Sequence, residues 1–163
     1  MRIKYVPKDY TIAQIAYMAG IVDGEGALTA GSYAKTKKGS PQYTIYLIIS
    51  STDECLIDWL VNTFGGKKYM YTRAQTPSNS LKTVFKWQAT GYMLQHICEL
   101  ILPYSVMKTR QIQIILELLA TSKLRYYEKG QRGPSVLPEV TELRMKLCQE
   151  LRNLHCRRGS LPI

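Results

Sequence analysis

The chain opens with a helical pattern and then alternates twice between hairpins and helices. Thr11-Ile12-Ala13-Gln14 has the form of a capping box. Apolar residues continue from it to Val22, which predicts a helix over 11–24. Gly24 and Gly26 are expected to end it in left-handed backbone. Residues 27–35 and 41–51 then read as two strands around Lys37-Lys38-Gly39-Ser40-Pro41. In the second, Gln42, Thr44 and Tyr46 take one side, and Tyr43, Ile45, Leu47 and Ile49 the other.

Thr52-Asp53 can cap a helix over 53–64, with Leu56, Ile57, Leu60, Val61 and Phe64 on its apolar face and Gly65-Gly66 as the stop. A second hairpin is expected at 67–75 and 81–90, turning near Thr76-Pro77-Ser78-Asn79. Tyr69, Tyr71, Arg73 and Gln75 share one face of its first strand. Lys82, Lys86 and Gln88 oppose Phe85, Trp87 and Ala89 on the second. Helices follow at 91–102 and 107–121, broken at Pro103. Residues 122–136 form a basic, aromatic loop. Pro138 suits the first turn of a last helix to about 156, with Val140, Leu143, Leu147, Leu151 and Leu154 inward. Residues 1–10 are basic and irregular. The sum is an α+β fold: a four-stranded antiparallel sheet with helices on its apolar face and its polar face open.

Charge gives that open face a meaning. Over 163 residues the net charge is +10, which points to a polyanionic partner. Residues 27–50 and 66–90 carry eight basic residues, Lys35, Lys37, Lys38, Lys67, Lys68, Arg73, Lys82 and Lys86, and no acid. Charge runs are commonly solvated surface; segregation onto two hairpins favours a nucleic-acid face. A two-stranded ribbon fits the major groove, where the base code is richest.

The length fits one domain, 1–163, with a core over about 11–121 and a basic loop and helix over about 122–156. Cys55, Cys98, Cys148 and Cys156 match no zinc spacing; Cys98 and Cys148 fall on apolar helical faces. A reducing, intracellular setting is expected (cytoplasm, nucleoid or organelle matrix), with no signal core and no membrane partner. His96 and His155 are far apart on helical faces, and no nucleophile–base pairing or phosphate-binding glycine loop is evident.

The informative stretch is Met18-Ala19-Gly20-Ile21-Val22-Asp23-Gly24-Glu25-Gly26. It places Asp23 and Glu25 at a helix C-terminus, which costs roughly 0.3–1 kcal/mol each and which a cation reverses. Ala16, Gly20 and Gly24 form a small-residue stripe that permits close approach of two helix backbones, against a second helix or against the chain's own core. This stretch resembles the LAGLIDADG motif of homing endonucleases, with Met for the first Leu, then Ala-Gly, two aliphatics, Asp, a small residue, an acid and Gly. The resemblance implies an αββαββα core with a saddle-shaped DNA-binding sheet over about 11–121. With one motif copy it implies a homodimer joined through Ile12, Ala13, Ala16, Gly20 and Gly24, acting on a nearly palindromic duplex.

In such a dimer the two Glu25 carboxylates come close, and divalent ions resolve their repulsion. The resemblance therefore implies Mg²⁺ held by Glu25 and the Gly24 carbonyl, for phosphodiester hydrolysis. Asp23 is expected to be structural. Lys108 stands where similar proteins carry an active-site lysine, although a surface lysine reads the same way. Arg110 is placed near phosphate. Ser51 stands where relatives often carry Gln as an outer group.

DNA contacts are expected from Thr29, Tyr33, Lys35, Lys37, Lys38, Gln42, Thr44, Tyr46, Tyr71, Arg73, Lys82, Lys86 and Gln88. The leading reading is a site-specific, Mg²⁺-dependent DNA endonuclease, intron-encoded to judge from a start at Met1. An intron-RNA-binding maturase and a non-cleaving DNA-binding protein are the alternatives.

Overall fold

The structure, a computed structural model, describes residues 8–33, 42–73, 82–121, 124 and 136–156, with backbone alone at Ser32, Tyr33, Gln42, Arg73, Lys82 and Cys156. The hairpin tips and the basic loop expected at 122–136, apart from Leu124 and Val136, lie outside the described residues, and with them Lys35, Lys37 and Lys38.

The first helix, α1 (Ile12–Glu25), begins at the capping box. Thr11 Oγ1 accepts from Gln14 N at 3.2 Å, and Gln14 Oε1 accepts from Thr11 N at 2.9 Å. Its end differs from expectation. The helix runs through Gly24, and Gly26 has φ −73° and ψ 130°, which is extended rather than left-handed. Gly26 is required by space instead: a Cβ there would lie 2.7 Å from Val22 O and 2.8 Å from Val22 Cα. Strand β1 (Gly26–Tyr33) therefore leaves the helix with no connecting loop.

Strand β2 (Gln42–Ser51) leads into helix α2 (Glu54–Phe64). Asp53 caps α2 by accepting from Cys55 N at 2.9 Å. Gly65 (φ 82°) and Gly66 (φ 93°) stop it in the left-handed region that the sequence led one to expect for glycine. Strands β3 (Lys67–Arg73) and β4 (Lys82–Thr90) follow, then α3 (Gly91–Ile101), a 3₁₀ turn at Leu102–Tyr104, α4 (Thr109–Thr121) and α5 (Pro138–Cys156). The four strands form one antiparallel sheet in the order β1-β2-β4-β3.

Period-two alternation decides which face is covered. Leu28, Ala30, Leu47, Ile49, Phe85, Trp87 and Ala89 are all buried, and the helices pack on them through Met18, Val22, Ile57, Leu60, Leu94, Ile97, Ile112 and Leu118. Cys98 and Cys148 belong to this core, and burial pushes the Cys98 thiol up to about 12. No helix among the described residues is long and apolar enough to cross a membrane.

Two details depart from the helical periodicity. On α5, Leu143 is 44% exposed, and Arg144 lies inward with Val140, Leu147 and Leu151. The guanidinium finds partners there: Nε donates to Thr121 Oγ1 (2.9 Å), Nη2 donates to the Thr121 carbonyl (2.8 Å), and the group lies over the Tyr43 ring. It thereby caps the C-terminus of α4. In addition, α4 starts at Thr109 rather than 107, with the Lys108 carbonyl accepting from Ile112 N at 2.9 Å.

Candidate site at the end of the first helix

The two acids of α1 meet opposite surroundings. Asp23 is 8% exposed. Its carboxylate accepts from Ser105 Oγ (2.6 Å), Val106 N (2.7 Å), Met107 N (3.1 Å) and Lys108 N (3.0 Å). Those amides lead directly into α4, so the carboxylate sits at a helix N-terminus, where negative charge is favoured. Burial alone raises its pKa, but the Ser105 hydroxyl and the three amides outweigh that and hold it below its usual value. The expected structural role of Asp23 thus has a physical form: it ties the end of α1 to the start of α4.

Lys108 completes the tie. It is 6% exposed, and its ammonium donates to the carbonyls of Val22 and Gly26, both at 2.7 Å. These groups flank the C-terminus of α1, where a cation offsets the helix dipole. The cation that two acids at a helix end call for is therefore supplied partly by the chain itself. Lys108 is a buried clamp on the α1–β1 junction, not a surface lysine.

Glu25, two residues after Asp23, is exposed, and among the described residues its carboxylate has no hydrogen-bond partner. Gly24 lies in the last turn, so its carbonyl is one of the four without an intrahelical amide. Among the described residues no three His, Cys, Asp or Glu side chains converge. The local donors are therefore hard oxygens, few in number and open on one side. That set suits a hard divalent cation that keeps several of its waters.

The stripe on α1 faces outward. Ile12 is 70% exposed, Ala13, Ala16, Gly20 and Gly24 are exposed, and a Cβ at Gly20 or Gly24 would meet nothing within 4 Å. The alternative that the stripe packs on the chain's own core does not hold.

The register orders the open sheet face into rows. The row beside the end of β1 has Ser50, which pairs with Lys86, which pairs with Tyr69. The next row is Ala27, Ile48, Gln88 and Lys67, and the one after is Thr29, Tyr46 and Thr90. Thr44, Tyr71 and Val84 share this face. The side chains of Tyr33, Gln42, Arg73 and Lys82 lie outside the described residues. Lys86 has no ion-pair partner among the described residues, whereas Lys68, on the covered face, is held by Glu54 (2.6 Å) and Asp58 (2.5 Å). Eight basic residues on the hairpins are thus not equivalent: strand alternation gives Lys68 to the helix side.

Two expected site residues are not brought to this face. Ser51 pairs with Phe85, and its Oγ accepts from Asp53 N at 2.9 Å, so it shapes the turn into α2. The serine on the open face is its neighbour, Ser50. Arg110 donates to Glu150 (2.8 and 3.1 Å) and Glu117 (3.0 Å), joining α4 to α5. Of the loop 105–108 only Lys108 was singled out from the sequence; Ser105 and the amides of Val106 and Met107 were not. The only local signal was Pro103 followed by Ser105, a polar side chain just ahead of a helix.

No protein-family model matches the chain, and no curated protein matches it in sequence. Its fold, however, is that of the LAGLIDADG homing endonucleases. The homing endonuclease I-CvuI, solved with its target in the presence of calcium, superposes with a TM-score of 0.61 at 18% identity, covering 87% of this chain and 82% of that one. The archaeal intron-encoded homing endonuclease I-Vdi141I, complexed with DNA, gives 0.66 at 14% identity over 87% and 84%. I-SmaMI, bound to uncleaved DNA with calcium ions, gives 0.63 at 15% identity over 90% of this chain but 48% of its own.

Proposed function

We propose that this protein is a site-specific, Mg²⁺-dependent DNA endonuclease that works as a homodimer on a long, nearly palindromic duplex. One observation carries the reading: of two acids at one helix end, Asp23 is buried and held by four donors, whereas Glu25 is exposed at the point where α1 passes directly into β1 of the acid-free hairpins. DNA-bound neighbours of the same fold, two of them solved with calcium ions, support it. So does the match to about half of I-SmaMI, since two copies of this chain would make up a comparable whole. The 1–163 chain then acts as one unit, and the exposed Ile12, Ala13, Ala16, Gly20 and Gly24 face a second copy. A glycine and alanine stripe lets two helices cross closely enough to bring both Glu25 residues to the twofold axis.

Each residue then has a distinct task. Glu25, with the Gly24 carbonyl, holds the divalent ion. When bound, that ion supplies charge neutralisation and an activated water for phosphodiester hydrolysis. Lys108 acts as a positioning residue: it fixes the junction from which Glu25 projects. Lys86 and the hairpin cations neutralise phosphates, while Thr29, Thr44, Tyr46, Tyr71 and Gln88 contact the groove.

Selection of cleaved members from a random duplex library tests all of this together. The expected product is a pseudo-palindromic site, cut only with divalent ion and not by Glu25→Gln, which still binds. Binding to structured intron RNA with no cleaved duplex would replace this reading with a maturase. Binding without cutting would replace it with a DNA-binding protein.

A further inference from the structure

The second row of the open face contains an aliphatic side chain that the core does not need. Ile48 lies between Leu47 and Ile49, both fully buried on the opposite face. By alternation Ile48 turns away from the helices. It is half-buried, on a face otherwise made of Thr44, Tyr46 and Ser50 on its own strand. Directly across from it is Gln88. Opposed residues on one face of an antiparallel pair have Cβ atoms about 4.5–5.5 Å apart, so the two side chains form a unit. Gln88 is also half-buried, and among the described residues its carboxamide has no hydrogen-bond partner. Ala27 on the other side of Ile48 is small and exposed, which leaves the methyls of Ile48 accessible. Lys67 at the far end of the row supplies charge for a phosphate.

We infer that this row reads an A·T base pair in the major groove. Gln88 donates to adenine N7 and accepts from its N6 amino group, and Ile48 packs on the thymine C5-methyl. A carboxamide is the side chain that matches the acceptor–donor edge of adenine bidentately, and an aliphatic group is what a thymine methyl prefers. Among the described residues the other groups on this face lack that combination: Lys86 with Ser50 next door suits a phosphate or guanine. The net charge of +10 and the absence of acids from both hairpins make the occupant a nucleic acid rather than an apolar protein surface. The inference rests on the duplex-binding reading above and deepens it by assigning one base-pair preference per half-site.

The test uses the full chain without divalent ion, so that binding is read apart from cutting, with duplexes selected from a random library. Selected sites are expected to share an A·T pair at one symmetric position in each half. Replacing its thymine by deoxyuridine removes only the methyl, and should weaken binding about fourfold, the value of one buried methyl group. Ile48→Ala should bind the thymine and deoxyuridine duplexes equally. Gln88→Glu, which can only accept, should move the preference from A·T to C·G. Equal affinity of the wild type for thymine and deoxyuridine duplexes at every selected position would overturn the inference without any variant. A Gln88→Glu protein that still selects A·T there would overturn it too. Duplex binding with neither effect sinks this inference alone; failure to bind any duplex sinks it together with the endonuclease reading.

Discussion

Asp23 and Glu25 are separated by one glycine, carry the same functional group and leave the same helix end, yet they are placed in opposite ways. Asp23 enters the interior and collects four donors. Glu25 stays in solvent. The difference is a matter of helical phase and of what lies opposite. Asp23 points toward the 3₁₀ turn and the start of α4, whose amides would otherwise lack acceptors. Glu25 is the last residue of the helix, exposed directly before β1. One acid therefore stabilises the fold, and the other is free to do chemistry. Natural proteins concentrate such uncompensated charge at working sites.

Exchanging the two roles should have the largest effects. Glu25→Gln should lower cleavage of a selected duplex by about 10³-fold or more, while leaving folding stability within about 0.5 kcal/mol. Asp23→Ala should do the reverse in urea unfolding, losing about 4 kcal/mol. That value reflects several buried donors left without an acceptor at about 1–3 kcal/mol each, less what water restores. Equal stability losses for the two variants would erase the contrast.

Lys108→Met comes next. It strips a charged donor from two carbonyls, and a loss of about 2 kcal/mol is expected in the same assay. An unchanged midpoint would mean the ammonium is not held where its 2.7 Å bonds place it.

Acid sharpens the comparison further. The Asp23 pKa is held below its ordinary value of 3.8, so its contribution is complete above that value and is lost as pH falls through the lower folded one. Wild-type melting temperature should therefore drop below about pH 4 more steeply than that of Asp23→Asn. Parallel profiles would assign the acid sensitivity to other carboxylates.

The smallest effect concerns Gly20, whose added Cβ meets nothing in its own chain. Gly20→Ala should raise the stability of the isolated chain by about 0.5–1 kcal/mol through helix propensity. The same change should weaken self-association in sedimentation equilibrium. A variant that associates as well as the wild type would remove the stripe from the interface.

Most of the architecture was legible because local signals agreed. The capping box, the Gly65-Gly66 stop and the alternation of Gln42 to Ile49 each named an element that formed. The open face was legible too, since a one-residue slip would have exposed Leu47 and Ile49. What the sequence concealed was pairing over long separations. Nothing near Asp23 announces Ser105, 82 residues away. Nothing in the pattern of α5 prefers Arg144 over Leu143 until the carbonyl of Thr121 is known to lie opposite. Ser51 shows a different limit: side-chain direction alternates at every residue, so a position chosen along the chain can fall one residue off the open face, and here its hydroxyl accepts from the Asp53 amide instead.

The central claim, that Glu25 and not Asp23 holds the divalent ion, can be read directly by affinity cleavage. Fe²⁺ in place of Mg²⁺, with ascorbate and peroxide, cuts the polypeptide next to the bound metal. With the selected duplex present, the protein should be cut around Gly24–Glu25, and Glu25→Gln should abolish that cut while leaving DNA binding intact. Cutting elsewhere, or cutting that survives in Glu25→Gln, would contradict the account.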